Sequence, residues 1–212
     1  MGAHVEKNLI YYIYYNGIIN HYHKLNLQYL RKYWSVFDGQ IVVKIAVDSD
    51  YDLSYLIDLI PGYQFEVVKN DPKTGEGAHL IDSINQVSDG MTFYAHCKGV
   101  SRPLMDGLDT WVKHLYESNL GSVPVLGERI FSGTCAKILP CAPYVPQDFH
   151  YSGSFYWFNT NEVKKRIAVI EPDKYLTERF PAMIAKKDEC FFNWPYSDKN
   201  VNFYLNETWK RL

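Results

Sequence analysis

Four short apolar runs, each followed by a segment with helical spacing, limit what this chain can fold into more than any other feature. Residues 8–15, 40–47, 63–69 and 91–95 are β-rich and almost continuously apolar. That is the pattern of strands covered on both faces. Between them, residues 23–37 place Leu27, Leu30, Tyr33, Trp34 and Phe37 on one helical face, 53–59 form a short helix closed by Pro61 and Gly62, and Leu80, Ile81, Ile84 and Val87 recur at the helical period. Thr74 is placed to cap that third helix. Strand and helix in alternation predict an α/β fold: a Rossmann-like, mixed, mostly parallel central sheet with helices on both faces. In such sheets ligands lie beyond the carboxyl ends of the strands. Asn16, Asp48, Asp50, Asp71, His96 and Lys98 all fall there.

The second half has a different character. Residues 103–120 read as a helix with Leu104, Leu108, Trp111 and Leu115 on one side, and 130–139 as a strand before the proline-bearing stretch 140–146. Residues 152–159 form an aromatic strand, 161–170 and 174–184 read as helices, and the apolar run after Glu189 reads as the start of another. No linker, repeat or low-complexity segment divides the 212 residues. The expectation is one domain, with a nucleotide-binding half over about residues 1–102 and an acceptor-binding half over about 103–212.

Charge excludes one class of partner. Lysine and arginine total 22 against 24 acidic residues, a formal charge of -2, without the basic surface that nucleic-acid binding requires. Tyrosine stands out, with 18 copies; an aromatic face with a hydroxyl suits a sugar or a nucleobase as well as a core margin. The four cysteines, Cys97, Cys135, Cys141 and Cys190, fit no zinc spacing and read as reduced, buried thiols. No apolar stretch approaches the roughly 20 residues of a membrane span. With no secretory leader at the start, these features predict a cytoplasmic protein, and leave the Asn206–Thr208 sequon unused.

The chemistry concentrates in two stretches. Residues 91–102 run from an apolar strand into His96, Cys97, Lys98 and Gly99. A diphosphate leaving group develops negative charge, which a lysine, a histidine donor and close backbone approach at a glycine can meet. Residues 148–157 bring His150 to the head of the aromatic strand. There Gly153 signals a bulge, Ser152 and Ser154 offer hydroxyls, and Tyr156 and Trp157 offer flat faces. Asp48 and Asp50 form an Asp-x-Asp pair of hard-metal type, set after the second strand, where a carboxylate meets base or ribose. Asp188 and Glu189, beside Phe191 and Phe192, are the candidate general base, Glu189 preferred. His21, His23 and His79 read as ordinary surface or loop histidines. No phosphate-binding P-loop and no Gly-x-Ser-x-Gly elbow is present.

With these residues in view, the Tyr94-Ala-His96-Cys-Lys98-Gly99 loop, the His150–Trp157 segment and the Asp188–Glu189 pair together resemble GT-A-type glycosyltransferases. The similar enzymes come from bacterial surface-polysaccharide clusters and large DNA viruses, chlorella viruses among them. The resemblance implies a GT-A-like fold, a UDP-sugar donor and a glycan acceptor. It also implies a viral setting in the host cytoplasm and a place as one domain of a larger multidomain protein. The strand-end position of the family's metal motif is held here by Ala95, His96 and Cys97, so a manganese or magnesium ion and its ligands stay open.

The combined expectation is a hexosyltransferase moving a glucose- or rhamnose-type sugar from UDP to a surface glycan, with inversion. Asn16, Asp48 and Asp50 hold the nucleoside, His96, Lys98 and Gly99 the diphosphate, and His150, Ser152, Gly153, Tyr156 and Trp157 the sugar and acceptor. Asp188 or Glu189 takes the proton. The rival is a noncatalytic carbohydrate- or nucleotide-sugar-binding module. A nucleotide-dependent methyltransferase is a weaker rival, for lack of a glycine-rich first loop.

Overall fold

A computed structural model describes residues 4–60, 64–134, 136–137, 150–151, 153–167 and 170–193. Its main sheet has seven strands. In chain order these are β1 (Lys7–Tyr15), β2 (Ile41–Val47), β3 (Phe65–Lys69), β4 (Met91–His96), β5 (Phe131–Gly133), β8 (Tyr156–Asn159) and β9 (Cys190–Phe192). They lie in the order β3-β2-β1-β4-β8-β5-β9. β3, β2, β1 and β4 are mutually parallel, β8 runs antiparallel between β4 and β5, and β9 is parallel to β5. A small second sheet pairs β6 (Ala136–Lys137) with β7 (His150–Tyr151). The α/β, mostly parallel architecture expected from the sequence is the one observed.

Strand periodicity sorts the core into two halves, one on each face. Leu9, Tyr11, Ile13 and Tyr15 of β1 join Phe93 and Trp157 against α1 (His21–Lys32) and α4 (Leu108–Leu120). Ile10, Tyr94, Tyr156 and Phe158 face α3 (Gly77–Gln86), α5 (Thr160–Arg166) and α6 (Leu176–Ile184). The short α2 (Ser54–Leu59) adds Leu56 to the first half. Each fully buried leucine, isoleucine or phenylalanine contributes about 1.5–3 kcal/mol to this packing.

Several local expectations shift. The helix expected over 23–37 begins at His21, because the Asn20 side chain accepts hydrogen bonds from the backbone N–H groups of Tyr22 and His23. It ends at Lys32 and is followed by a 3-10 turn, Trp34–Val36. Thr74 does not cap α3: its hydroxyl is buried without a hydrogen-bond partner among the described residues, and a run of turns carries the chain to Gly77. The aromatic strand is broken by Gly153 (φ 93°) and Ser154 (φ 56°), so the expected kink splits it into β7 and β8. The run after Glu189 is strand β9 and not a helix, since its backbone pairs with β5. Cys97 and Cys190 are free, buried thiols, as read from spacing. Cys135, Cys141, the stretch 140–146 and the tail beyond residue 193 lie outside the described residues. Among the described residues no helix is long and apolar enough to cross a membrane.

Candidate functional site

Beyond the carboxyl ends of β1, β2 and β4 lies an open crevice of about 640 Å³, within the usual size of a small-ligand site. At one end it is floored by Tyr14, Asp48 and Asn70. The Tyr14 hydroxyl donates to one carboxylate oxygen of Asp48 (2.6 Å) and the Asn70 amide to the other (2.8 Å). These two bonds hold the Asp48 carboxyl below its ordinary range. The same hydrogen bond pushes the Tyr14 phenol up to about 12.

The other end is the loop after β4. Its lining includes His96, Lys98, Gly99 and Arg102, and Lys174 approaches from the second half of the chain. Three cationic side chains therefore border one cavity. Lys98 places its ammonium 4.6 Å from the Trp111 ring centre, a cation–π contact that fixes the lysine stem.

The loop backbone is held from behind. Asn26, fully buried on α1, donates from Nδ2 to the Lys98 carbonyl (2.9 Å) and accepts the Lys98 N–H at Oδ1 (3.0 Å). Asn20 donates to the Val100 carbonyl (2.6 Å), and the Tyr22 hydroxyl accepts from the Met105 N–H (3.0 Å). Gly99 sits at φ 87°, where a Cβ would lie 2.9 Å from a Leu108 methyl and 3.2 Å from the Tyr22 ring. Only glycine takes this turn without strain.

Glu76 also lines the crevice, against His96. One carboxylate oxygen lies 2.5 Å from His96 Nδ1, and the other accepts from the Thr177 hydroxyl at 2.5 Å. Thr177 in turn shares a 3.0 Å hydrogen bond with Ser154. Burial alone would push the Glu76 carboxyl up. The His96 ring, the Thr177 hydroxyl and the Lys98 charge outweigh that and hold it below the ordinary carboxylate range. Nothing around Glu76 in the sequence marks it, because its partners are distant along the chain.

Of the residues expected from sequence, Asp48, His96, Lys98 and Gly99 line the crevice together. Asn16 and Asp50 are exposed in the turns after β1 and β2 and are not among its lining residues. His150 is buried in β7, and Gly153 donates its N–H to Glu178 at the kink (3.1 Å). Ser152 lies outside the described residues.

Two expectations need correction. Tyr156 and Trp157 are 0% exposed, their polar atoms donating to the backbone carbonyls of Thr177 (3.0 Å) and Asn119 (2.8 Å). Their rings are core and offer no face to a sugar.

Asp188 and Glu189 are at the other end of the sheet. Glu189 precedes Cys190, which registers with Phe131, then Phe158, then Thr92. That level is the start of β4, roughly 15 Å along the strands from His96. Glu189 is gripped there by both guanidinium nitrogens of Arg166 (2.7 and 2.8 Å), which hold its carboxyl at about 2. It is a structural ion pair and cannot take a proton in the crevice. His23 also departs from expectation: it is 1% exposed, bonded to the Tyr14 carbonyl (2.9 Å), not a surface histidine.

Among the described residues no three His, Cys, Asp or Glu side chains converge, and Glu76 and His96 face each other at 2.5 Å.

Neither a protein-family model nor a curated protein matches this sequence. Solved structures do resemble its fold. Glucosyl-3-phosphoglycerate synthase from Mycobacterium tuberculosis, in complex with UDP, matches 93% of this chain and 73% of its own with a TM-score of 0.50 and 11% identity. A cytidylyltransferase from Leptospira borgpetersenii matches 92% and 77%, with a TM-score of 0.43 and 12% identity. At such identities the likeness is one of fold.

Proposed function

We propose that this chain is a nucleotide-sugar-dependent glycosyltransferase of GT-A type. The observation that carries the reading is a single cavity with two chemically distinct ends. Asp48, braced by Tyr14 and Asn70, offers acceptors for the N–H and hydroxyl donors of a nucleoside. Lys98, Arg102 and Lys174 border the other end, where a diphosphate would place its charge. The fold likeness to a UDP-bound synthase supports UDP as the carrier. The Tyr94–Gly99 loop supports the finer likeness to the viral and surface-polysaccharide enzymes. That likeness carries with it a hexose or deoxyhexose donor, a glycan acceptor, inversion, and work as one domain of a larger protein. His150, Ser152 and Gly153 keep their acceptor-side assignment.

A second reading has one observation in its favour. Both carboxylates in the crevice, Asp48 and Glu76, are already engaged by the protein's own donors. A noncatalytic nucleotide-sugar-binding module needs no free base. One experiment separates the two: calorimetric titration with UDP, then UDP release from UDP-glucose and UDP-rhamnose with glycan acceptors, with and without manganese. Binding with turnover supports the transferase, and binding with no turnover, even to water, the module. No binding of UDP or either sugar overturns both.

A further inference from the structure

Glu76 is the buried acidic group that the reading above leaves without a task. It lies at the head of α3, in the crevice lining, and only about a sixth of its side chain is exposed (16%). A buried, ionised carboxylate costs several kcal/mol to desolvate, so its neighbours must offset that cost. Here they do so asymmetrically. Thr177 fixes one oxygen, and the other faces the Nδ1 side of His96 at 2.5 Å. Phe155 meets the same imidazole edge-on with ring centres 5.7 Å apart, closing one side of it. A ring held by a carboxylate at Nδ1 and by an aromatic neighbour has little rotational freedom. Its Nδ1 is buried and, beyond the ion-pair contact with Glu76, has no hydrogen-bond partner among the described residues, while the residue as a whole still lines the crevice.

We propose that Glu76 is a positioning residue: its contact at Nδ1 holds the His96 imidazole so that the Nε2 edge of the ring faces the diphosphate of the bound nucleotide. This rests on the nucleotide-sugar reading above. The carboxylate sets the direction of the ring through its Nδ1 edge; donation from Nε2 to the diphosphate requires a proton on both ring nitrogens, since a neutral ring protonated at Nδ1 leaves Nε2 an acceptor. Thr177 and Ser154 extend the support to the Gly153 kink. The two stretches that drew attention in the sequence thus meet at Glu76.

Charge alone argues for the opposite effect. A carboxylate near a diphosphate repels it, so removing the charge without regard to His96 should tighten binding. The direction of the change is therefore diagnostic. Affinities for UDP and for uridine are measured by calorimetry for wild type, Glu76→Gln, Glu76→Asp, His96→Ala and the Glu76→Gln/His96→Ala double variant. Uridine lacks the diphosphate and reports whether the fold and the Asp48 end persist.

Glu76→Gln and Glu76→Asp are each expected to weaken UDP about 10-fold, the scale of one charge-assisted hydrogen bond. Uridine affinity stays at the wild-type value, and the double variant binds UDP no more weakly than His96→Ala alone. Four results overturn the assignment: unchanged or tighter UDP binding by Glu76→Gln, full affinity in Glu76→Asp, losses that add in the double variant, or equal losses for uridine. Failure of the wild-type protein to bind UDP is a different result. It removes the nucleotide-sugar reading itself, and this assignment with it.

Discussion

Replacing Asn26 by alanine tests whether the phosphate-end loop is built from behind, as its hydrogen bonds imply. The change deletes the two bonds to the Lys98 backbone, one to the Tyr22 carbonyl and one from the Tyr116 hydroxyl. Two of these losses are mild. The Tyr116 hydroxyl keeps its 2.6 Å bond to Tyr11, and the Tyr22 carbonyl keeps its helical partner. The Lys98 N–H and carbonyl, however, are left facing the apolar gap beneath the loop. A stranded buried group costs about 1–3 kcal/mol, and because Lys98 is half-buried, water relieves part of it. The expected loss is ~3 kcal/mol, a fall in melting temperature of roughly 6–12 °C for a chain of this size. UDP affinity should fall with it.

Asn26→Asp carries a sharper signature. It keeps the shape but turns an oxygen toward the two carbonyls that Nδ2 now serves, at 2.9 and 2.7 Å. Burial and those dipoles raise the folded carboxyl above its unfolded value. A raised folded value means the native state binds the extra proton, so stability lost at neutral pH returns as pH falls toward the unfolded carboxylate range. Melting curves between pH 8 and 5 decide it. A penalty below ~1 kcal/mol in Asn26→Ala, or one independent of pH in Asn26→Asp, would refute the clamp.

Other perturbations read separate parts of the molecule. Gly99→Ala places a methyl 2.9 Å from Leu108 at a left-handed φ; a cost of about 1–3 kcal/mol and weaker UDP binding are expected in melting and titration experiments. Lys98→Ala should weaken UDP by roughly 10-fold or more and flatten the dependence of affinity on salt, seen by titration across ionic strength. Glu189→Gln should leave UDP affinity and any turnover at wild-type levels while lowering the melting temperature. Because Arg166 depresses the Glu189 carboxyl to about 2, its contribution is present above the ordinary carboxylate range and lost as pH falls through it toward 2, so wild type and variant converge in acid. Trp157→Ala should destabilise by about 3–5 kcal/mol, as for a core aromatic, measured by urea unfolding.

The strands and helices of the first half were legible because burial on both faces leaves a local mark. Runs such as Leu9 to Tyr15 have no polar alternation, and helical spacing shows between them. The rule that ligands gather at strand ends then led to Asp48, His96, Lys98 and Gly99. Register was not legible, and the misplacing of Asp188 and Glu189 traces to it. An acidic pair beside aromatics looks the same at either end of a sheet. Only the pairing of β9 with β5 reveals that Glu189 stands at the far end. Tyr156 and Trp157 carried a usable sign: Phe155 to Phe158 is as unbroken as β1, which marks a strand covered on both faces and not a binding surface. Glu76 had no sign, because one partner is 101 residues away in sequence.

The buried polar side chains show which backbone the fold must hold still. At the amino ends of the strands, Asn8 accepts from the Gln40 N–H (2.7 Å) and donates to the Ser88 carbonyl (2.9 Å), while Thr92 meets Thr160 (2.7 Å). Those bonds close turns against an apolar interior. At the carboxyl ends, Asn20, Asn26, His23 and Glu76 make comparable bonds, but around an open cavity. An apolar replacement of similar volume could satisfy the core at either end about as well, since buried polar groups give little net stability. What such a replacement could not do is set the direction of the Lys98 backbone or of the His96 ring. The polar groups at the crevice are therefore better explained by geometry than by stability. On this account, variants that remove them lose more ligand affinity than their melting temperatures imply, whereas Asn8 and Thr92 variants lose stability alone.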